Sequence, residues 1–427
     1  MKYIQLALGL MRQRWLFNLI VIIEIASLLI LTNTMYSTVR SKQMIYEPYK
    51  DILRENGIVV DAASLDFMEC SNEEIAPFLQ VYPDKKSVIS FLENRLTGDV
   101  KIHCSDSLTF WKQIGPLSVM YRDKGNTLTY YLLEPNVLSK MCLPLSCGRY
   151  PKETKNDNGE IEIVVSGGTD ASLNNVYDTP AGKMRVVGIL TDSTYKPVNS
   201  EIDRNNMDPG IDRDSIFNFV LPFDSHTNLG GPFAIAAKDI FPENSDGYNI
   251  MANSVWFVSY GDNISEKDFA ANTEYLNTVG TVQYGQTLNT MAQETERQIN
   301  DIYYRMMPII ITAVIIVLSG LIGSAAIGAL RQTRTFCIFF ICGCRKKDSL
   351  YIIGAETAIT IIIASALAAT GIAVMRIMNF EYLIGLSFGF GNILLSVLVV
   401  AILFTLSMII PFGMLRSASP VLSIKEN

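Results

Sequence analysis

The chain has 427 residues, 49% of them hydrophobic and 18% charged, with a formal net charge of −7 and a positive mean hydropathy. That is too apolar for an ordinary water-exposed globular protein and too charged for a chain wholly embedded in lipid, and nothing in it points to a nucleic-acid partner. The conflict resolves when the chain is partitioned.

Residues 1–15 carry Lys2, Arg12 and Arg14 without an acid and read as a cytoplasmic amphipathic helix. Residues 16–33 are apolar apart from Glu24 and a few small polar residues, long enough for a first spanning helix. A secretory signal would have a shorter apolar core and a small-residue cleavage site, so an uncleaved anchor is expected. The chain then continues outward as a polar helical extension that stops before Gly57. Before the second span, Leu288, Met291, Thr295, Ile299, Ile302 and Met306 recur at spacings of three and four, which makes one helical face. The two extensions are expected to pair as a stalk.

Between them, residues 34–306 read as a large external α+β domain. Residues 84–96 place Val88, Leu92 and Leu96 on one helical face. Strand-like runs follow at 100–104, 117–122, 128–133, 160–165, 183–190, 216–221 and 254–260, with a helix at 265–276. Ser265 suits its N-cap, and Asp268 stands where a capping box needs an acceptor. Residues 191–214 and 224–231 read as loops.

Three more spans are expected, at 307–330, 350–375 and 385–415, with an external turn at 376–384 and a tail at 416–427. The connector at 331–349 holds Arg331, Arg334, Arg345, Lys346 and Lys347 against Asp348 alone. Lys and Arg beside spanning helices stay on the cytoplasmic side. The N-terminal piece, connector and tail hold ten basic residues and two acidic ones, whereas 34–307 holds 24 basic and 37 acidic. The expected fold is therefore an α-helical membrane protein with four transmembrane helices (1+3), both termini cytoplasmic, and the α+β domain between helices 1 and 2.

Candidate chemistry is sparse. His103 and His226 are the two histidines, and neither has partners at a metal-site or triad spacing. Gly167-Gly168 follows a strand, but no lysine stands where a phosphate loop needs one. This chain is expected to hold no cofactor, no metal and no catalytic residue. Cys142 and Cys147, on the external side, could pair across Pro144 or remain separate thiols. Glu24 lies mid-span, and the preferred reading is a carboxyl hydrogen-bonded to a neighbouring helix, the alternative a proton or substrate pathway. Glu356, near the basic side, could pair with Arg331, Arg334 or Arg345. Small residues crowd the second and third spans, Gly320-Leu-Ile-Gly323 among them, and suit close helix packing within one bundle or between two chains.

The 1+3 arrangement resembles the FtsX/MacB-type ABC transporter permeases. So do Arg331-Gln-Thr-Arg334, Gly343-Cys-Arg345 and Glu356, and the tail from Pro411 through Arg416 and Pro420 to Glu426. Externally, Leu143-Pro-Leu-Ser-Cys-Gly148-Arg149, Glu162-Ile-Val-Val-Ser166 and Met184-Arg-Val-Val-Gly188-Ile-Leu190 are similar to the MacB-type core domain in order and spacing. The chain departs from the pattern at Thr335, where an acid is usual, and at Cys344, where Ala is common.

The resemblance implies a bacterial cytoplasmic-membrane protein, with a β-rich insert at about 100–222 within the external domain. It implies a separate cytoplasmic ABC ATPase that uses ATP and magnesium and docks on Arg331, Arg334, Gly343, Arg345, Lys346 and Lys347. A second permease chain and surrounding lipid complete the assembly. Two functions fit that machine: export or extraction of a peptide, lipid-linked molecule or antimicrobial, or the switching of an external protein partner such as a cell-wall hydrolase or sensor kinase.

Overall fold

The computed structural model describes residues 6, 9, 11–12, 15–63, 65, 72–79, 84–110, 128–198, 214–225, 230–241, 248–341, 346–377, 389–409 and 411–413. The expected strand at 117–122, residues 378–384 of the expected turn and the expected tail at 416–427 lie outside them. So do His226, Cys70 and most of residues 1–14.

Helix α1 (Trp15–Tyr46) leads through a 3-10 turn (Glu47–Tyr49) into α2 (Lys50–Leu53). Next come β1 (Gly57–Asp61), α3 (Ala76–Leu79), α4 (Lys85–Arg95), β2 (Lys101–His103), β3 (Asp106–Phe110), β4 (Thr129–Leu133) and α5 (Pro135–Ser139). They are followed by β5 (Leu145–Gly148), β6 (Ile161–Val165), β7 (Val176–Thr179), β8 (Gly182–Leu190), β9 (Ser193–Tyr195), a 3-10 turn (Ile216–Phe219) and β10 (Pro222–Asp224). Then β11 (Phe233–Ala237), a 3-10 turn (Lys238–Ile240), β12 (Tyr248–Ala252), β13 (Val255–Ser259), α6 (Glu266–Val279) and β14 (Val282–Thr287) complete the domain. Three long helices end the chain: α7 (Leu288–Ile341), α8 (Lys346–Ile377) and α9 (Phe390–Ser407).

The chain divides into two units. One comprises residues 1–38, 301–383 and 388–427, the other residues 39–300 with 384–387. Among the described residues, four helical stretches are long and apolar enough to cross a membrane: Trp15–Leu53, Leu288–Ser324, Asp348–Met375 and Phe390–Gly413. Their outward faces are apolar, with Ile309, Ile315 and Ile316 of α7 and Ile393, Val397 and Leu398 of α9 all exposed. That inverts the pattern of a water-facing helix and suits hydrocarbon. Exposed Trp15 and Tyr351 stand at one end of their spans, and Tyr304 and Phe390 at the opposite end, where interfacial aromatics belong.

Helix α1 is the hub of the first unit. Val21, Ile25, Leu28 and Leu29 pack with Val317 and Leu321 of α7, Ile361 and Ala364 of α8, and Leu403 of α9. The small residues act selectively. A Cβ on Gly371 would stand 3.3 Å from Ile30, and one on Gly391 would stand 3.0 Å from Cζ of Tyr36, whereas Gly323 meets nothing within 4 Å. The 320–323 pair is therefore not a two-point contact within the unit.

Among the described residues the second unit holds three sheets, one of them the β9–β10 pair alone. Of the other two, the smaller, in the order β14-β1-β13-β2, is antiparallel and covered by α4 and α6. Asp84 caps α4 by accepting from Ser87 N, and Val88 and Leu92 are fully buried. Ser265 caps α6, and Asp268 reaches back to the Ser265 hydroxyl at 2.6 Å rather than to its backbone. The helix runs to Val279, three residues past the expected end, because Gly280 at φ +97° supplies the left-handed stop.

The larger sheet runs β12-β3-β4-β11-β6-β8-β5, with β7 pairing β8. The β-rich insert is thus wider than the 100–222 expected and differently bounded. β2 belongs to the small sheet, through Phe257 opposite His103, while β11 and β12 add residues 233–252 to the large one. The expected strand at 216–221 is a 3-10 turn followed by β10. Ile216 and Phe219, three apart, are both fully buried while Asn218 between them is exposed, the pattern of one helical turn rather than of alternating strand faces.

The three external stretches that carry the family resemblance meet in the large sheet. β5 and β6 both pair with β8, and Arg149 grips Glu162 through two bonds at 2.7 and 2.5 Å. Gly148 and Gly188 lie back to back there, each against the other strand's backbone, so neither site has room for a side chain.

Trp256 is fully buried at the centre of the small sheet, its indole donating to Asn253 O at 2.8 Å. Trp256→Ala is expected to cost about 3–5 kcal/mol, whereas Cys147→Ser on exposed β5 is expected to stay within about 0.5 kcal/mol. Thermal melts of the full chain in detergent test both.

Candidate functional site: the coupling helices and their polar contacts

The expected ATPase contact falls at the α7–α8 junction. α7 does not stop at residue 330. It continues as helix past Arg331 and Arg334 to Ile341, and α8 begins at Lys346. The reason is local: residues 331–341 contain neither Gly nor Pro, and the first breaker is Gly343. Gly343 and Arg345 lie outside the described residues, as do the side chains of Arg331, Arg334, Lys346 and Lys347. The backbone thus places Arg331 and Arg334 in the last turns of α7 and Lys346 and Lys347 in the first turn of α8.

At the other end of α7, the predicted stripe is the buried face. Leu288, Met291 and Thr295 are fully buried and Ile299 nearly so. The helix passes through Pro308, which lacks an N–H for the bond one turn back. The expected stalk pairing is present: Glu296 Oε1 accepts from Tyr46 Oη at 2.9 Å and from Arg54 Nη2 at 2.6 Å. The Arg54 guanidinium holds the Glu296 carboxyl below its ordinary value. Burial, with help from Glu296, pushes the Tyr46 hydroxyl up to about 12.

Glu24 faces α7, and a Cβ on Gly320 would stand 2.7 Å from its Oε2. Among the described residues that oxygen is buried without a hydrogen-bond partner. Gly320 leaves the space the carboxyl occupies. Glu356 is buried in the third turn of α8 and its carbonyl accepts from Thr360 Oγ1 at 3.0 Å; its expected arginine partners lie outside the described side chains.

Sequence reasoning missed the densest polar contact between spans. Asn392 Nδ2 reaches Ser37 Oγ at 2.9 Å, Asn33 Oδ1 at 3.2 Å and Asn33 O at 3.3 Å, while Asn33 Nδ2 donates to Ser396 Oγ at 2.9 Å. Asn33 and Ser37 are four apart, as are Asn392 and Ser396, so each pair lies on one helix face. That double spacing was the available signal.

In the external unit, Cys142 and Cys147 are both free thiols, which answers the pairing left open by sequence. Cys142 turns inward to Met44 O at 3.7 Å, and Cys147 is exposed on β5. Cys104 is buried, and burial pushes its thiol up to about 12, which suits a packed, unreactive group. His103 is no bare surface residue: its Nδ1 lies 2.9 Å from Glu134 Oε2. Beside this pair, Tyr49, Val137, Val198 and Phe257 line a cavity of about 20 Å³, room for about one water molecule. Among the described residues no cluster of His, Cys, Asp and Glu suits a metal ion.

No family model matches the chain. No curated protein matches it either. Among solved structures it is similar to the periplasmic region of MacB from Actinobacillus actinomycetemcomitans, at 12% identity over 59% of this chain and 97% of that one, with a TM-score of 0.24. A likeness that loose carries no argument.

Asn392→Leu is expected to destabilise the chain by about 1–2 kcal/mol, the upper range for hydrogen bonds between membrane helices, and Asn392→Gln to recover part of it; melting in detergent compares them. The stalk clamp has a pH window. A depressed carboxylate contributes stability that is present above its unfolded value of 4.5 and lost as pH falls through its folded one. A raised tyrosine contributes stability lost as pH rises from 10.0 through about 12. The clamp is therefore intact between about pH 5 and pH 10, and Glu296→Gln should flatten the acid side of the melting profile relative to wild type.

Proposed function

We propose that the chain is the membrane subunit of an ABC-type machine of the FtsX/MacB kind, with no ATPase site of its own. A separate cytoplasmic ATPase, using ATP and magnesium, docks on the α7–α8 junction through Arg331, Arg334, Gly343, Arg345, Lys346 and Lys347. Its closure displaces the end of α7, and the displacement reaches the stalk and the external domain. Extraction or export of a peptide, lipid-linked molecule or antimicrobial from the external side is the work this movement serves. Two such chains match the two ATPases of a closed pair.

One observation carries the reading: residues 331–341 of the connector, the second span and the stalk stripe belong to a single 54-residue helix. At 1.5 Å per residue α7 is about 80 Å long, against a hydrocarbon core of about 30 Å. Roughly 50 Å of it is therefore surplus to crossing, divided between the basic end and the domain end. A helix needed only as an anchor has no use for that length. The motif resemblance at Arg331–Arg334 and Gly343–Arg345 supports the same reading.

Affinity purification from mild detergent extracts of the source cells should capture an ABC ATPase, and R345E combined with K346E should abolish the capture while leaving the melting temperature unchanged. Capture of no ATPase by wild type would contradict the reading.

A further inference from the structure

The polar residue in the otherwise apolar stripe of α7 is Thr295, and the fold assigns it a partner outside the stalk. Thr295 is fully buried, donates to Met291 O at 2.7 Å, and accepts from Ile216 N at 3.2 Å. Ile216 belongs to residues 214–224, a segment that touches the parts of the external unit in turn. Gln286 Nε2 donates to Asp214 Oδ1 at 2.5 Å, and Ser215 Oγ to Gln298 Oε1 at 3.3 Å. The ammonium of Lys42, on α1, stands 3.9 Å above the Phe217 ring. Phe219 meets Tyr284 of β14 edge-on at 5.0 Å. The segment then becomes β10, pairs with β9, and sets Phe223 edge-on to Phe233 at 5.4 Å, at the start of β11 in the large sheet.

We propose that residues 214–224 form a strap that couples the two stalk helices to the large sheet, so that a change in stalk pairing is felt at β11. The chemistry suits transmission. The contacts to α7 are directional hydrogen bonds to buried or half-buried groups, and a bond of that kind is lost once its partners part by about an ångström. The contact to α1 is a cation over a ring, which tolerates sliding. The contact to the sheet is a pair of fully buried phenylalanines, close-packed and able to pass strain on. The strap thus follows α7 and slides on α1. Its use in transmitting ATP-driven work rests on the permease reading, whereas the coupling itself does not.

The test is hydrogen–deuterium exchange on the full chain in detergent, with no ATPase present. E296A breaks the stalk clamp without touching any of the sheets. In the wild-type background E296A is expected to raise exchange about threefold or more in the first turns of α7, at Ile216, and in β11. In a background carrying T295V, S215A and F217A, which removes both strap hydrogen bonds to α7 and the ring beneath Lys42 of α1, the α7 response to E296A should remain and the β11 response should vanish. A β11 response of equal size with the strap cut overturns the proposal, as does a β11 that ignores E296A in the wild-type background. Should that background fail to fold, T295A, S215A and F217L replace it under the same two criteria. Failure to capture an ATPase would remove the permease reading and leave this result standing.

Discussion

A chain segment that crosses hydrocarbon must satisfy every backbone N–H and C=O within itself, and that requirement makes α7 what it is. Once helical, the segment has no internal reason to stop at the membrane boundary, because helix propagation adds one bond per residue fixed. On the basic side the helix reaches Ile341, passing through Pro308 on the way, and on the domain side it begins where β14 ends, at Thr287. The same logic extends α1 from Trp15 to Tyr46, well beyond the first span. Both extensions are consequences of where helix-breaking residues are absent, and the stalk follows from them.

Polar groups divide the helix contacts by character. Between α1 and α9 the amides and hydroxyls of Asn33, Ser37, Asn392 and Ser396 satisfy one another, and the Tyr36 ring sits on Gly391. Between α1 and α7 a carboxylate oxygen of Glu24 is buried against Gly320 with no partner among the described residues. An unpaired polar atom in a low-dielectric setting costs free energy that a paired one does not. The α1–α7 contact is held instead by apolar packing, with Val21, Ile25, Leu28 and Leu29 against Ile310, Val317 and Leu321. In the permease reading α7 is the helix that moves.

The spans, the stalk stripe and the caps of α4 and α6 were legible because each rests on a local rule: span length, three-four spacing, or a side chain opposite a free N–H. The large sheet was half legible. β6 and β8 are rich in Val and Ile, whereas β11 reads Phe-Ala-Ile-Ala-Ala, whose alanines favour helix until the neighbours β4 and β6 override them. The limits of the insert depended on non-local pairing, β3 with β12, which no window of sequence contains. The strap was hidden for a similar reason. Ile216 to Leu221 is apolar enough for a strand, and only burial of both Ile216 and Phe219 distinguishes a turn. Thr295, the polar residue in an apolar face, was the trace it left on α7.

The central claim is that α7 joins a basic junction on one side of a membrane to a folded domain on the other, and sidedness is the most direct test. With cysteine-free protein as background, a membrane-impermeant maleimide would be applied to intact cells carrying Cys147 alone, and separately to cells carrying Cys344 alone. The account predicts that Cys147 is labelled in intact cells and Cys344 only after permeabilisation. Labelling of both cysteines from the same side would contradict it.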